Sequence, residues 1–209
     1  MAEPMGRDDR AADDLGPAVA PPHGPGAIRT VGHSTRTLDE LIDVVRPAYV
    51  TELVDVRTVP RSRHNPQYNR DTLPDALAAR GVGYLPLPEL GGLRRPRPDS
   101  PNGGWRNASF RGFADYMATE EFSQGLAHLL SEARHRTVAI MCAEAVPWRC
   151  HRSLIADALV VRGVEVIHLL SPTRSQAHRR TPWARVDGTR LSYRPPADPS
   201  TVLGTTSEP

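Results

Sequence analysis

The middle of the chain alternates between short apolar runs and segments in which apolar residues recur every three or four positions. Short β-branched and aliphatic runs are typical of buried strands, and the longer spacing is typical of one face of a helix. The apolar runs predict five strands, at residues 28–31, 53–56, 82–87, 137–141 and 164–170. Because helical segments separate these strands, we expect an α/β fold: a mainly parallel five-stranded sheet with helices on both faces.

Capping and breaking residues set the ends of the predicted helices. Thr37 is a favourable N-cap for a helix that Pro47 ends. A second helix is expected over residues 73–80, and helical spacing recurs over residues 110–133, ahead of the fourth strand. The last helix is predicted over residues 150–162, where it would begin at a cysteine.

The two ends of the chain lack such patterns. Residues 1–26 are rich in Pro, Gly, Ala and Asp and hold almost no large apolar side chains, so we expect a disordered N-terminal tail. Residues 172–209 are rich in Pro and Arg and are expected to be a mostly irregular C-terminal tail, although a few aromatic side chains there could pack on the core. Residues 27–171 are expected to form a single α/β domain.

Composition and charge exclude several classes of protein. The chain has 209 residues, two cysteines and a formal net charge of +2, and no apolar run approaches the length of a membrane span. No hydrophobic segment begins the chain, so we expect a cytoplasmic protein with reduced thiols and no membrane contact. All 26 basic residues are arginine, which excludes a Schiff-base lysine and the lysine of a phosphate-binding P-loop.

Polar side chains follow four of the five predicted strands, at the point where each strand ends. In open parallel sheets, ligands bind beyond the carboxyl ends of the strands. We therefore expect one edge of the sheet to collect His33, Ser34, Asp55, Arg57, Glu89, Cys142 and Glu144. Asp55 and Arg57 lie two positions apart on a strand, so they face the same side and could form an ion pair or face a ligand together.

Both cysteines of the chain lie in one short segment. Cys142 ends the fourth predicted strand, and Cys150 precedes His151 and Arg152 at the predicted start of the last helix. Backbone amides at a helix start lower the pKa of a thiol and favour anions, so either cysteine could be a nucleophile. Cys142 could instead be a small buried apolar residue, and the two thiols could pair as a redox disulfide.

A metal site is a further possibility for the same segment. Two thiols and one imidazole would bind zinc if His33 or a carboxylate supplied a further ligand, but the standard paired spacing of zinc ligands is absent. No cofactor is predicted, and zinc remains an open alternative. Ser62 lies in a polar, basic loop over residues 57–70 that suits a phosphate or a nucleotide.

Taken together, these motifs resemble the DUF488 family, a group of bacterial and archaeal proteins named for a domain of unknown function. The resemblance rests on several short motifs over residues 27–170: Gly32-His33-Ser34, Asp55-Val56-Arg57 with Pro60 and Ser62, Leu90-Gly91-Gly92, Cys142-Ala143-Glu144 and Cys150-His151-Arg152. It implies a compact α/β domain with these polar residues as its signature. It implies no established reaction.

The leading functional hypothesis is a thiol-dependent enzyme, a hydrolase or transferase, that acts on a small anionic or nucleotide-like ligand. Cys142 or Cys150 would supply the nucleophile or redox thiol, and His33 or His151 would move protons. The remaining residues complete the hypothetical site: Glu144 and Asp55 as orienting groups or bases, and Ser34, Asp55, Arg57, Ser62 and Arg152 as ligand-binding groups.

Two alternatives belong to other classes. One is a nucleic-acid-associated module in which the arginines of residues 57–70, residues 94–97 and the C-terminal tail contact phosphates. The other is a metal or redox sensor that uses the two thiols. The sequence does not predict an oligomeric state.

Overall fold

The computed structural model describes residues 26–195, which form a six-stranded sheet covered by helices. The strand order is β3-β2-β4-β1-β5-β6; the first five strands along the chain are parallel, and β6 runs antiparallel to β5. The strands are β1 (Ile28–Gly32), β2 (Glu52–Asp55), β3 (Gly83–Pro86), β4 (Val138–Cys142), β5 (Val166–Ser171) and β6 (Arg174–Ala177).

Five α-helices connect these strands. Thr37 caps the first helix in a capping box with Glu40: its side chain accepts from the Glu40 amide, and the Glu40 carboxylate accepts from the Thr37 amide. Short 3₁₀ turns lie at Arg46–Ala48, Pro66–Tyr68, Pro88–Leu90 and Pro147–Arg149. The helices are α1 (Leu38–Val45), α2 (Leu73–Ala78), α3 (Ala108–Tyr116), α4 (Glu120–Glu132) and α5 (Arg152–Val160).

Two apolar clusters lie on opposite faces of the sheet. Alternate residues of β4 show this division, because Ile140 belongs to the cluster beneath α3, α4 and α5, whereas Ala139 and Met141 belong to the cluster beneath α1 and α2. The predicted α/β class, the parallel pairing and the helices on both faces are therefore confirmed. None of the helices in the described range combines the length and the apolar character needed to cross a bilayer.

The structure differs from the sequence prediction after residue 171. Residues 174–177 add the sixth strand to the sheet, and β7 (Arg185–Asp187) pairs with β8 (Arg190–Ser192) as a separate hairpin. All four residues of β6 are exposed, so no apolar pattern could reveal this strand. Tyr193 is buried in the core, as suggested for this region. Within the two predicted tails, residues 1–25 and 196–209 lie outside the described residues.

Strand order places three of the predicted polar motifs side by side. β4 lies between β1 and β2, with Gly32 opposite Cys142 and Asp55 opposite Met141. The chain leaves β1 for α1 on one face and leaves β4 for α5 on the other face. Neighbouring parallel strands whose connections diverge in this way open a crevice at their carboxyl ends, and the candidate site lies there.

Candidate functional site

The two cysteines and one histidine form a compact cluster at the end of β4. Nδ1 of His151 lies 3.6 Å from Sγ of Cys150 and 4.0 Å from Sγ of Cys142. All three donor atoms lie within 4.8 Å of one another. The loop between the cysteines folds back through the 3₁₀ turn at Pro147–Arg149, which brings Cys150 beside the end of the strand.

The predicted start of the last helix was two residues early. Helix α5 begins at Arg152, and Cys150 has extended backbone angles as the residue that ends the 3₁₀ turn. Cys150 is 4% exposed and Cys142 is half-buried. The amides of the first turn of α5 bond to preceding carbonyls of the same segment, including Ser153 to Cys150 and Leu154 to His151. The thiol of Cys150 therefore depends on side chains for its electrostatic environment.

Hydrogen bonding fixes the tautomer of His151. Its Nε2 atom lies 3.2 Å from the carbonyl oxygen of Val56, which can only accept, so Nε2 carries the proton. Nδ1 consequently faces the two sulfur atoms, where it can accept a proton from one thiol and, once protonated, donate to the other sulfur. The ring packs edge-on against Phe113 at 5.0 Å between centroids. A Cβ atom on Gly92 would collide with the same ring, which explains why a residue without a side chain lies there.

Arg152 is a buried positive charge that contacts the cluster. It is 1% exposed, and its Nε atom donates to Sγ of Cys150 over 3.4 Å. Nη1 donates to Oγ1 of Thr30 at 3.1 Å, and Nη2 donates to the backbone carbonyl of Glu144. All three guanidinium nitrogens of Arg152 bond to protein atoms, so the role of this side chain is to orient the cluster.

The two thiols have opposite pKa shifts. A hydrogen bond from the Cys142 thiol, assisted by His151 and Arg152, holds the pKa of Cys150 well below its usual range. The same hydrogen bond, together with burial, raises the pKa of Cys142. The direction follows from Arg152, which can only donate and so favours the anionic form of the sulfur it contacts. The cluster therefore favours the anionic form at Cys150 and the protonated form at Cys142.

A second cluster lies at the end of the neighbouring strand β2. Arg57 forms a bidentate ion pair with Asp55, with Nε 2.8 Å from Oδ1 and Nη2 2.6 Å from Oδ2. The hydroxyl of Tyr84 donates to the same carboxylate at 2.8 Å. Of the two possibilities that the sequence left open for Asp55 and Arg57, the geometry gives the ion pair.

His33 belongs to this second cluster. Its Nδ1 atom donates to the Ser34 carbonyl at 2.8 Å, and its Nε2 atom accepts from Nη1 of Arg57 at 3.2 Å. The ring stacks on Tyr68 at 3.9 Å between centroids. Burial lowers the pKa of His33 to about 4, against the Ser34 hydrogen bond. A neutral ring with both nitrogens engaged holds Arg57 in place, and His151 is the histidine beside the thiols.

The two clusters are adjacent. The amide of His33 donates to the carbonyl of Cys142 at 2.9 Å, and Val56, between Asp55 and Arg57, accepts from His151. The structure therefore brings together seven of the residues singled out in the sequence: His33, Asp55, Arg57, Cys142, Cys150, His151 and Arg152.

Other predicted site residues make local contacts. The Glu144 side chain is exposed and accepts from the amide of Val146 at 3.0 Å. Ser34 has a left-handed backbone conformation with φ of 50°, and its carbonyl holds the ring of His33. The hydroxyl of Ser62 accepts from the amide of Asn65 at 3.1 Å. These contacts shape the loops around the clusters.

Glu89 lies at the end of the neighbouring strand β3. Its carbonyl accepts from the Tyr116 hydroxyl at 2.7 Å. One of its carboxylate oxygens is buried without a hydrogen-bond partner among the described residues. The backbone of Glu89 therefore bonds to α3, and its side chain packs beside Gly125 of α4.

Sequence reasoning missed a chain of hydrogen bonds that begins at Arg152. Thr30 accepts from Arg152 and lies 2.8 Å from Nδ1 of His168; Nε2 of His168 lies 3.0 Å from Nδ1 of His178, and Nε2 of His178 lies 2.9 Å from Asp157. Arg152 can only donate and an ionised Asp157 can only accept. The hydrogen bonds at the two ends of the chain, from Arg152 and to Asp157, therefore have a fixed direction.

Burial reinforces this arrangement. Asp157 is fully buried and also accepts from the Thr181 amide at 2.9 Å and the Tyr193 hydroxyl at 2.8 Å. Desolvation lowers the pKa of His168 to about 3. The one signal in the sequence was a histidine within the apolar run of β5. The strand register of the structure places this histidine directly opposite Thr30.

Comparison with known proteins supplies the family. Residues 37–159 match the family model described as "Domain of unknown function DUF488", which is more than half of the 209 residues. The chain belongs to the DUF488 family. It matches no curated protein and no solved structure. The DUF488 match includes the thiol cluster and Arg152, whereas His33 lies just before its first residue and His168 lies after its last.

Metal binding is within the chemistry of the thiol cluster. Cys142, Cys150 and His151 have the ligand types and the spacing to hold a metal ion. The sequence suggested His33 or a carboxylate as a further ligand, but the ring of His33 is engaged by Arg57 and Ser34. The three-residue set comes entirely from the segment that joins β4 to α5.

Proposed function

We propose that this DUF488 protein is a cytoplasmic thiol-dependent enzyme, a hydrolase or transferase that acts on a small anionic or nucleotide-like ligand. One observation carries the proposal: Sγ of Cys150 accepts from buried Arg152 and lies 3.6 Å from Nδ1 of His151, which also faces Cys142. A thiolate beside a fixed imidazole is the usual arrangement for nucleophilic catalysis by cysteine. Reduced thiols, which this chemistry needs, persist in the cytoplasm.

The two cysteines differ in exposure, and so they have different roles in the proposed reaction. Cys142 is the more exposed of the two cysteine residues and so is the one that reaches a ligand. His151 takes its proton, and the anionic form of Cys150 stabilises the imidazolium that results. Attack by Cys142 forms a bond from sulfur to an acyl or phosphoryl centre and breaks the bond to the leaving group, which receives the proton through His151. Water or a second substrate then releases the bound group and restores the thiol.

Exposed arginines support an anionic ligand. The two buried arginines of the site, Arg57 and Arg152, donate to protein atoms and act by orienting other groups. The loop after β2, in contrast, carries Arg61, Arg63 and Arg70 with exposed side chains. Their charge lies at the same carboxyl end of the sheet, where it would attract phosphate or carboxylate groups.

Chromogenic esters and phosphates test the proposal. Purified full-length protein would be assayed with p-nitrophenyl acetate, p-nitrophenyl phosphate and bis-p-nitrophenyl phosphate, followed by mass spectrometry of the quenched reaction. We expect turnover of at least one probe and a covalent adduct on Cys142, with loss of both in Cys142→Ala. His151→Gln should slow turnover, whereas His128→Gln, an exposed change on α4, should not. Absence of turnover and adduct across the panel would contradict the proposal.

Zinc binding is a second candidate function for the same three residues. A tetrahedral zinc site with ordinary bond lengths places sulfur and nitrogen ligands ~3.6 Å apart. The separations of 3.6 and 4.0 Å from Nδ1 of His151 to the two sulfurs are close to this value. Three ligands would leave one coordination position for a substrate or for water.

Elemental analysis separates the two candidates. Protein purified without chelator would contain about one zinc ion per chain if the cluster is a metal site, and Cys150→Ser would abolish it. A titration of free thiols before and after mild oxidant then tests the redox alternative. Metal-free protein with two reactive thiols supports the enzyme, because a bound zinc ion would block the sulfur atoms.

A further inference from the structure

All three tryptophans of the chain line one cavity beside the thiol-bearing loop. The cavity has a volume of about 360 Å³, within the range of small-molecule sites. None of Cys142, Cys150 and His151 lines it. Its other lining residues come from α5, from β5 and β6, and from the segment that follows β6.

We propose that this cavity binds a nucleobase, stacked on the tryptophans. Trp148 is 63% exposed and Trp183 is 43% exposed, which is unusual for the largest apolar side chain. Exposed tryptophans around a concave surface supply flat π-faces on which any base can stack. The three indoles line the same cavity, although they are far apart in the sequence.

Packing holds Trp105 and Trp183, which form one wall of the cavity, in place. Trp105 packs against Phe110, Trp183 and Tyr193, with ring centroids 4.8, 5.3 and 5.4 Å away. Tyr193 is itself anchored by its hydroxyl to buried Asp157. Trp105 and Trp183 therefore form a fixed edge-to-face pair. A preformed wall avoids the entropy cost of ordering large side chains when a ligand binds.

Polar groups around the cavity match the edge of a base. Gln176 on β6 is exposed, and its amide offers one acceptor and two donors, the complement of a base edge. Both ring nitrogens of His168 and of His178 are used in the hydrogen-bond chain, so these rings offer a ligand their faces and no free nitrogen. Arg179 is exposed at the cavity and suits a phosphate attached to the nucleoside.

Tryptophan fluorescence gives a direct test, since every tryptophan in the protein lines the cavity. Adenosine monophosphate and guanosine monophosphate would be titrated into the full-length protein, with ribose 5-phosphate as the control that lacks a base. We expect saturable quenching by both nucleotides and none by ribose 5-phosphate. A single-stranded oligoadenylate arm assigns the source of the base: a much lower saturating concentration than for the mononucleotide indicates a base within a strand. If neither mononucleotide nor oligonucleotide quenches, the proposal is overturned.

Matched variants show whether the base stacks on these residues. Calorimetric affinity should fall at least tenfold in Trp148→Ala and measurably in Gln176→Ala, both exposed positions where the fold should tolerate the change. Leu93→Ala replaces another exposed apolar residue, 71% exposed and outside the cavity, and should bind as the wild type does. Unchanged affinity in Trp148→Ala, with an unchanged melting temperature, would place the ligand elsewhere and overturn the proposal. Because no thiol takes part, binding can fail while thiol activity persists, and the reverse.

Discussion

Nε of Arg152 lies 3.4 Å from Sγ of Cys150, and the side chain that makes this contact is almost completely buried. The guanidinium is held by Thr30 and by the Glu144 carbonyl, so it cannot turn away from the sulfur. A fixed buried cation beside a thiol favours the thiolate more strongly than an exposed cation does, because water screens it less. Arg152 is therefore the main positioning residue of the cluster.

Replacing Arg152 should make the thiols less reactive near neutral pH. In Arg152→Gln the cation is lost, so the pKa of Cys150 should rise, and alkylation near neutral pH should slow several-fold. The measurement is the rate of iodoacetamide alkylation as a function of pH, with each cysteine followed by mass spectrometry. Arg179→Gln, an exposed change, is the control. An alkylation profile in Arg152→Gln identical to that of the wild type would show that Arg152 does not set the pKa.

Cys150→Ser should remove activity while leaving the fold nearly intact. Serine is similar in size, and its hydroxyl can accept from Arg152, so the free energy of unfolding should change by less than about 1 kcal/mol. A serine at neutral pH is uncharged and does not stabilise the imidazolium that forms when His151 takes the proton of Cys142. Thermal unfolding and turnover, measured on the same preparation, check both statements. A large loss of stability with the same loss of activity would instead make Cys150 a structural residue.

Gly92→Ala tests the packing around His151. The added methyl group would meet the imidazole ring, so either the ring or the loop must move. We expect a loss of about 1–3 kcal/mol in the free energy of unfolding, as for other overpacked sites. Gly103→Ala is the matched control, because its Cβ would lie 3.4 Å from the nearest atom, an ordinary van der Waals contact. Equal stability of the two variants in urea denaturation would contradict the packing described here.

Stability should fall as the pH drops below the ordinary pKa of histidine. In the folded protein the pKa of His168 is lowered to about 3 and that of His33 to about 4, from the usual 6.5. The unfolded chain therefore binds more protons below about pH 6.5, and the free energy of unfolding decreases by up to about 1.4 kcal/mol per pH unit for each histidine. The stabilising effect is complete above that pH and is lost as the pH falls towards 4.

Urea denaturation between about pH 7 and pH 5 measures this slope. His168→Gln removes one titrating group and keeps a donor near His178, so its slope should be shallower than that of the wild type. His135→Gln, at an exposed position, should keep the wild-type slope. Parallel slopes in wild type and His168→Gln would show that His168 titrates normally in the folded protein.

Binding of nucleic acid through the arginine-rich loop stays a prediction with a simple test. Arg61, Arg63 and Arg70 are exposed on the loop that follows β2. Contacts of this kind release counterions, so affinity for single-stranded RNA in a filter-binding assay should fall steeply with added salt. Arg61→Glu combined with Arg63→Glu should weaken binding for all sequences alike. No retention on the filter at low salt would remove this alternative.

Local sequence patterns determined the fold class and most element positions. The β-branched run around Val54 and the capping box of Thr37 with Glu40 specify a strand and a helix start through neighbouring residues alone. The ion pair of Asp55 with Arg57 was one of two possibilities that local geometry allowed, because side chains two apart on a strand face the same side. These features depend on contacts only a few positions apart.

Only the tertiary structure decided the order of the strands and the partners of the buried polar groups. It placed His151, and not His33, beside the thiols. It also placed Thr30 of β1 opposite His168 of β5. It also added β6, whose polar residues pair through their backbone. Backbone pairing and buried hydrogen bonds link residues far apart in the chain, so their partners are set by how the strands assemble and not by the pattern within any one segment.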